Sequence, residues 1–144
     1  ANLSVSASIP DRYVPSPEQR MDLYRRIAAV QNEEEADELV DELIDRYGEP
    51  PRPVNNLLSV ALLRAKAAQC RINDLAQKGD KLVFTLDEFR LESFSALCAR
   101  ENYAKRLLLM PGELPRFSFR LAKNEDPLRC ARHVVEDYAK ALEV

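Results

Sequence analysis

The stretch that decides the fold of this chain is Glu42-Leu43-Ile44-Asp45-Arg46-Tyr47-Gly48-Glu49-Pro50-Pro51. Its first six residues continue a helical pattern, and Gly48 can adopt the left-handed conformation that closes a helix. The two prolines that follow cannot continue that helix. The stretch therefore predicts an amphipathic helix, over about residues 33–47, that stops sharply.

Three charged residues of this stretch share one side of the predicted helix. Glu42, Asp45 and Arg46 stand at positions i, i+3 and i+4, a spacing that brings side chains together on one helix face. The opposite, apolar stripe comprises Leu39, Val40, Leu43 and Tyr47. A partner can read such an exposed cluster, so this charged triplet indicates contact rather than catalysis.

The composition is that of a globular protein. With 144 residues, 46% of them hydrophobic and 31% charged, the chain is long enough to bury a core. The net charge of -3 gives no chain-wide attraction to phosphate backbones or acidic membranes. Apolar runs such as 107–110 are far shorter than the roughly 20 residues of a membrane-spanning helix, and we expect no signal peptide. We expect one domain over residues 1–144, in the cytoplasm and with no membrane partner.

Capping signals predict the helices of the first half. Ser16-Pro17-Glu18-Gln19 combines a capping serine, a proline at the first helical position and a glutamine placed to complete a capping box. That helix should run to about Val30. Asn32 and the acids after it predict the start of the second helix. Apolar residues at helical spacing over 54–70 predict a third helix beside the second.

The second half reads as strands and helices in alternation. The predicted strands cover 72–75, 81–86, 106–110 and 116–121, with helices near 91–102 and over 127–142. Lys78-Gly79-Asp80 is a hairpin turn between the first two strands. Alternation at 2–9 predicts a further strand, already under way as in a piece cut from a larger protein. The fold class expected is α+β, a small and mostly antiparallel sheet packed with several helices.

No sequence motif for catalysis is present. The three glycines, Gly48, Gly79 and Gly112, are too few and too scattered for a phosphate-binding loop. We therefore expect no ATP hydrolysis by this chain alone. No cysteine or serine has the sequence context of a nucleophile. The prediction is a domain that is not an enzyme and that needs no cofactor.

The residue types that usually bind metal are poorly spaced for it. The three cysteines, Cys70, Cys98 and Cys130, include no CxxC pair, which argues against disulfides and against a thiolate zinc site. We expect them to be small core residues. The single histidine, His133, is expected to be an ordinary residue of the last helix. No metal site is predicted here.

Acids crowd the segment from Glu33 to Glu49, where Arg46 is the single base. A divalent cation would bind there if carboxylates converged, but helical geometry spreads them around the outer faces. We expect a solvated helix face with an ion pair between Glu42 and Arg46. The next segment, 52–72, carries bases and no acid, yet it lacks the aromatic residues that interleave with cations in nucleic-acid sites. Weak DNA contact is kept as an alternative.

Three motifs of the first half belong together. They are Ile9-Pro10-Asp11-Arg12-Tyr13-Val14-Pro15, Arg20-Met21-Asp22-Leu23-Tyr24-Arg25-Arg26-Ile27 and the stretch over 42–51. In order and spacing they resemble the C-terminal domain of the bacterial transcription-repair coupling factors. The resemblance is specific to about residue 75. Beyond that residue, the hairpin and the closing helix are similar in pattern only. Tyr47 stands where that family often has phenylalanine, a change that should matter little to core packing.

The resemblance implies a part of a larger, ATP-driven DNA translocase that displaces stalled RNA polymerase and recruits nucleotide excision repair. The motor lies outside this chain. The part implied here is a non-catalytic clamp that packs on the N-terminal module of the same protein, a module similar to a repair helicase loader. That packing masks the surface for the excision-repair damage-recognition ATPase and restrains translocation. By position, Glu42, Asp45 and Arg46 match the family's charged contact triplet.

On this interpretation the charged triplet is one side of a two-state, autoinhibitory interface. When the interface is closed, Glu42 and Asp45 meet basic groups and Arg46 meets a carboxylate; polymerase engagement breaks these pairs. Two alternatives stay open. One is a structural docking platform with no restraining role, and the other is a weak DNA-contacting module, although the acidic net charge leads us to expect no direct DNA binding.

Overall fold

The computed structural model of the protein describes residue 3 and residues 5–142. Its helices are α1 (Pro17–Ala28), α2 (Glu33–Tyr47), α3 (Arg52–Gln69), α4 (Leu91–Cys98) and α5 (Pro127–Leu142). Its strands are β1 (Ile72–Lys78), β2 (Lys81–Leu86), β3 (Leu107–Met110) and β4 (Arg116–Arg120), and a 3-10 helix covers Glu101–Tyr103. This content confirms the predicted α+β class.

Two compact units divide the chain. The helical unit comprises Val5–Ala65, and the sheet unit begins at Lys66, so the boundary lies inside α3.

Local capping explains where the helices of the helical unit begin and end. The Ser16 hydroxyl accepts a hydrogen bond from the Gln19 N–H at 3.3 Å, and the Asn32 side chain accepts one from the Glu35 N–H at 2.9 Å. Gly48 ends α2 with φ at 87°, a backbone conformation that favours glycine. The predicted bounds of α2 are confirmed, whereas α1 ends at Ala28, two residues before the predicted Val30.

The core of the helical unit is aliphatic. Buried side chains from the three helices, from the segment before α1 and from the link between α1 and α2 form one cluster: Ile9, Val14, Leu23, Ile27, Val30, Ala36, Leu39, Leu43, Val54, Leu58 and Ala61. The predicted apolar stripe of α2 is confirmed, since Leu39 and Leu43 are buried while Val40 and Tyr47 are half-buried against the cluster. The third helix contributes Val54, Leu58 and Ala61 to the same cluster as the buried residues of α2.

The strand predicted over 2–9 is wrong for the described residues 3 and 5–9, none of which lies in a strand; residues 2 and 4 lie outside the described residues. The Ser8 N–H donates to the Pro53 carbonyl at 3.2 Å, and the Ile9 N–H donates to the Tyr24 hydroxyl at 2.8 Å. Alternation of apolar and polar residues indicates that alternate side chains are buried. In this segment the apolar side chains are covered by helices and not by a sheet.

The sheet of the sheet unit has the strand order β1-β2-β4-β3, and every neighbouring pair is antiparallel. The predicted hairpin between β1 and β2 is confirmed, with Gly79 at φ 63° in its turn. The helix predicted near 91–102 is interrupted after Cys98 and resumes as the 3-10 helix.

Aromatic rings fill the centre of the sheet unit. Phe84 of β2 and Phe117 of β4 face each other in register and stack with ring centroids 4.8 Å apart. Phe94 of α4 and Tyr138 of α5 approach the Phe117 ring at 5.3 and 5.7 Å. The two helices therefore lie on the face of the sheet that carries these rings.

The three cysteines, all within the described residues, form no disulfide, and Cys70 is buried while Cys98 and Cys130 are half-buried. Only Cys70 is thus a core residue in the full sense of the prediction. Among the helices of residues 5–142, none combines the length and the apolar character needed to cross a membrane.

Candidate contact site

The candidate site lies on the outer side of α2, in the helical unit, and α2 is fixed at its carboxyl end by two tyrosines. The Tyr13 hydroxyl donates to the Gly48 carbonyl at 2.7 Å, and the Tyr47 hydroxyl donates to the side-chain oxygen of Gln19 at 2.9 Å. Burial and the nearby Glu49 carboxylate raise the pKa of Tyr13, so this hydroxyl keeps its proton as a donor. The last turn of α2, which carries the charged triplet, is therefore held against α1 and the segment before it.

Glu42 is bound by an arginine of the neighbouring helix. Both terminal nitrogens of Arg26, in α1, donate to the two carboxylate oxygens of Glu42, the Nη2–Oε1 bond at 2.9 Å. Such a two-pronged pair fixes the orientation of both planar groups as well as their distance. Glu42 is therefore already engaged inside the helical unit, which the sequence reasoning did not predict.

The pair also fixes the charge of its members. The hydrogen bonds from Arg26 lower the pKa of Glu42, and the same contact raises the pKa of Arg26. Both groups are consequently ionised at neutral pH.

Arg46 and Asp45 are the outward members of the charged triplet. The Arg46 Nη1 lies 4.0 Å from the Glu42 Oε2, at the limit of an ion pair, and its guanidinium lies 5.2 Å from the centre of the Tyr47 ring. Half of the Arg46 side chain, 51%, is exposed. Asp45 is exposed and has no ion pair or side-chain hydrogen bond within residues 5–142. The intrahelical pair expected between Glu42 and Arg46 is thus present but secondary to the pair with Arg26.

A shallow groove runs between α1 and α2 beside these charges, with a volume of about 290 Å³. Glu18 and Asp22 of α1 and Arg46 of α2 line it, with Leu23 and Leu43 also lining it. The groove offers charges of both signs above a small apolar base. It contains no cysteine, serine or histidine, so the arrangement suits recognition of a charged protein surface.

The structure brings together two of the three residues that the sequence singled out, since Glu42 and Arg46 are neighbours while Asp45 stands alone. Sequence reasoning missed Arg26 and Gln19, which tie α1 to α2. One signal was available for Arg26, because the last turn of α1 carries Arg25 and Arg26 and an acidic helix follows it. Which arginine faces Glu42 depends on how the helices pack, and spacing along one helix does not report it.

The acids of α2 do not converge. In the part of the chain that the structure describes, no group of three or more His, Cys, Asp or Glu side chains is placed to hold a metal ion. His133 is exposed on α5. The chemistry of this surface is therefore that of ion pairs and hydrogen bonds.

Comparison with protein families matches most of the chain to a known domain. The sequence model of the TRCF domain matches residues 3–97, which include all of the helical unit and the contact site.

Individual relatives agree with the family match. The chain is 36% identical over 87 residues to the transcription-repair-coupling factor of Bacillus subtilis and 37% identical over 84 residues to that of Escherichia coli. These alignments cover 60% and 57% of this chain but only 7% of each relative, so the chain spans a small part of the length of those proteins.

A solved structure has the same fold. The crystal structure of the C-terminal domain of a transcription-repair coupling factor superposes with a TM-score of 0.79, covering 99% of this chain and 90% of that one. The identity over the superposition is 22%, so this likeness shows the fold alone. It extends the similarity past residue 97 into β3, β4 and α5.

Proposed function

The chain belongs to the TRCF domain family, that of the C-terminal domain of transcription-repair coupling factors, and from this we propose that it is the autoinhibitory part of such a factor. In this proposal residues 1–144 act as one non-catalytic regulatory domain of a larger cytoplasmic protein, an ATP-driven DNA translocase. The domain packs on the N-terminal module of the same protein, which resembles a repair helicase loader. Closure hides the surface that recruits the excision-repair damage-recognition ATPase and slows translocation.

The observation that carries the proposal is that the members of the charged triplet have different contacts. Glu42 is held by Arg26, and this pair keeps the last turns of α2 in a fixed position relative to α1. Asp45 and Arg46 are then left to meet a partner with opposite charges. Arg46 can hold a carboxylate in two-pronged fashion because of its planar guanidinium, while Asp45 needs a lysine or arginine opposite it.

Ion pairs at the edge of an interface suit a switch. Such pairs contribute more to the specificity and rate of association than to affinity. An interface that relies on them can therefore open when another partner engages the protein. Engagement of RNA polymerase by the parent protein opens the closed state, the pairs to Asp45 and Arg46 break, and the repair-binding surface is freed. Tethering in one chain compensates for weak contacts by raising the effective concentration of the two partners.

The first test is DNA-dependent ATP hydrolysis by the full parent protein, with and without residues 1–144, at equal concentration and salt. Removal is expected to raise the rate because the restraint is lost. An unchanged or lower rate would reject autoinhibition and leave the structural docking platform as the function of this domain.

A second test places the restraint on α2. Charge reversal by Asp45→Lys with Arg46→Glu in the parent protein should raise the ATPase rate toward that of the truncated protein. The matched control is Asp37→Lys with Arg25→Glu, which makes the same changes at two exposed positions of α2 and α1 that have no side-chain partner within residues 5–142. If both double variants raise the ATPase rate equally, the restraint does not depend specifically on Asp45 and Arg46.

A further inference from the structure

The sheet of the sheet unit has an unprotected edge at β3. In the order β1-β2-β4-β3, β3 pairs with β4 on one side, and no strand of the described residues pairs with its other side. The four residues of β3, Leu107–Met110, are all apolar. Proteins usually protect such an edge with a lysine, a proline, a bulge or a covering element, because its free backbone groups can pair with another chain.

The hydrogen-bond pattern shows which backbone groups of β3 point outward. The Arg120 N–H donates to the Arg106 carbonyl at 2.9 Å. In an antiparallel pair the bonded residues alternate, so Leu108 and Met110 direct their N–H and C=O groups to β4. Leu107 and Leu109 direct theirs away from the sheet. The bond from the Leu86 N–H to the Pro115 carbonyl, on the other side of β4, has the matching phase.

The side chains of this edge are apolar and accessible. Leu108 is 60% exposed and Leu109 is 44% exposed, although they lie on opposite faces of the strand. Leu114, in the loop between β3 and β4, is 55% exposed. An added strand could therefore cover leucine side chains on both faces in addition to pairing with the backbone of Leu107 and Leu109.

Positive charge surrounds the edge. The segment from β3 through β4 and its flanks carries Lys105, Arg106, Arg116, Arg120 and Lys123 against one acid, Glu113, in a chain whose net charge is -3. Arg106 is paired with Glu125, but Lys105 and Arg120 are exposed and make no ion pair within the described residues. Lys105 lies two residues before the start of β3, and Arg116 lies opposite Met110 at the other end of the strand.

We infer that the outer edge of β3 is a docking site for an extended acidic segment of another protein, which adds to the sheet as a fifth strand. Such a segment presents β-branched side chains on both faces, one set beside Leu108 and the other beside Leu109, and it carries acids at both ends. Backbone pairing to Leu107 and Leu109 supplies affinity, and the flanking charges supply selectivity. A second copy of this chain fits less well, because its own basic flanks would be brought against those of the first.

The test uses the 144-residue chain, labelled with 15N, and a synthetic peptide in which valine and threonine alternate between acidic ends. Two-dimensional NMR should show the largest shifts at the amides of Leu107 and Leu109 and slowed hydrogen exchange there. A peptide of the same centre with basic ends should bind at least about tenfold more weakly.

Two variants separate backbone pairing from side-chain contact. Leu109→Pro removes the outward N–H and places the ring where the added strand must lie, while the bonds between β3 and β4 stay intact. It should abolish the peptide-induced shifts. Leu109→Thr keeps the N–H and β preference, so binding should survive with a small loss. If Leu109→Pro does not fold, Lys105→Glu with Arg120→Glu should shift the preference to the basic peptide instead.

Other results would overturn the inference. Duplex DNA that shifts the β3 amides when the acidic peptide does not would assign the surface to nucleic acid. Concentration-dependent dimerisation, with protection of Leu107 and Leu109 in the absence of peptide, would assign the edge to a second copy. Shifts that are equal in the wild type and in Leu109→Pro would exclude strand addition.

Discussion

The two units of the chain differ most in what lies at their centre and at their surface. The helical unit has an aliphatic core and secures its segments with polar contacts near the surface, such as the bond from Tyr13 to the Gly48 carbonyl and the pair between Arg26 and Glu42. The sheet unit is centred on Phe117, whose ring meets those of Phe84, Phe94 and Tyr138. Its free surface, at β3, is apolar and flanked by bases.

This difference separates the residues that hold the fold from those available for function. A polar contact at the surface is worth little to stability because water competes for it, so the helical unit can change its charges without unfolding. Removal of the central ring of the sheet unit would disturb two strands and two helices together. Variants at the charged triplet should therefore report on contact, whereas variants at the aromatic cluster should report on folding.

The largest effect is expected from Phe117→Ala. Loss of this fully buried ring removes its contacts with Phe84, Phe94 and Tyr138 and leaves a cavity, which should lower the free energy of unfolding by about 3–5 kcal/mol. Urea unfolding followed by circular dichroism measures it. Leu108→Ala, on the neighbouring strand but 60% exposed, is the control and should change stability by less than about 0.5 kcal/mol. Similar losses in the two variants would contradict the central role of Phe117.

The next effect concerns the end of α2. At φ 87° and ψ -170°, Gly48 has a backbone conformation that side chains disfavour, although a Cβ would meet no atom within 4 Å. Gly48→Ala should therefore cost about 1–3 kcal/mol, all of it backbone strain. Gly79→Asn in the β1–β2 turn should cost less, because φ 63° is a left-handed conformation that asparagine tolerates. An equal cost in the same unfolding assay would show that the backbone at Gly48 relaxes.

Much of the helical unit could be predicted because its signals are local. Ser16, Asn32 and Gly48 each cap a helix through bonds to residues within four positions, and a short window of sequence contains all the partners. The β1–β2 hairpin was predictable for the same reason, since Gly79 supplies its turn.

The wrong predictions share one cause. In each of them the residue contacts a partner that is distant in sequence. Ile9 pairs with the Tyr24 hydroxyl instead of with a strand, and Gln19 accepts from Tyr47 where the spacing had predicted a capping box. The candidate site failed in the same way, since Glu42 is bound by Arg26 of another helix. The insertion of β4 between β2 and β3 also depends on packing that periodicity does not encode.

A smaller effect is expected from Tyr47→Phe, which installs the residue that the resemblance gives for this position. The hydroxyl that is lost donates to Gln19 at 2.9 Å near the surface, so the free energy of unfolding should fall by only about 0.5 kcal/mol. A double-mutant cycle with Gln19→Ala checks the assignment, because Gln19→Ala should cost less once Tyr47 is phenylalanine. Strict additivity of the two changes would show that the bond contributes nothing, and a loss comparable with that of Gly48→Ala would mean that the Tyr47 hydroxyl contributes more than an exposed hydrogen bond usually does.

The smallest effect is a pH-dependent one at Glu42. Because the hydrogen bonds from Arg26 lower the pKa of Glu42 in the folded protein, its ionised form contributes stability at and above the ordinary glutamate value of 4.5. That contribution is lost as the pH falls through the lowered value of the native state. The difference in unfolding free energy between wild type and Glu42→Gln should thus be constant near neutral pH and shrink in acid. In an Arg26→Met background most of this pH dependence should vanish. If the difference in unfolding free energy stays constant down to the pH of acid unfolding, the pair between Arg26 and Glu42 does not stabilise the helical unit. Glu42, like Asp45, would then be available to a partner.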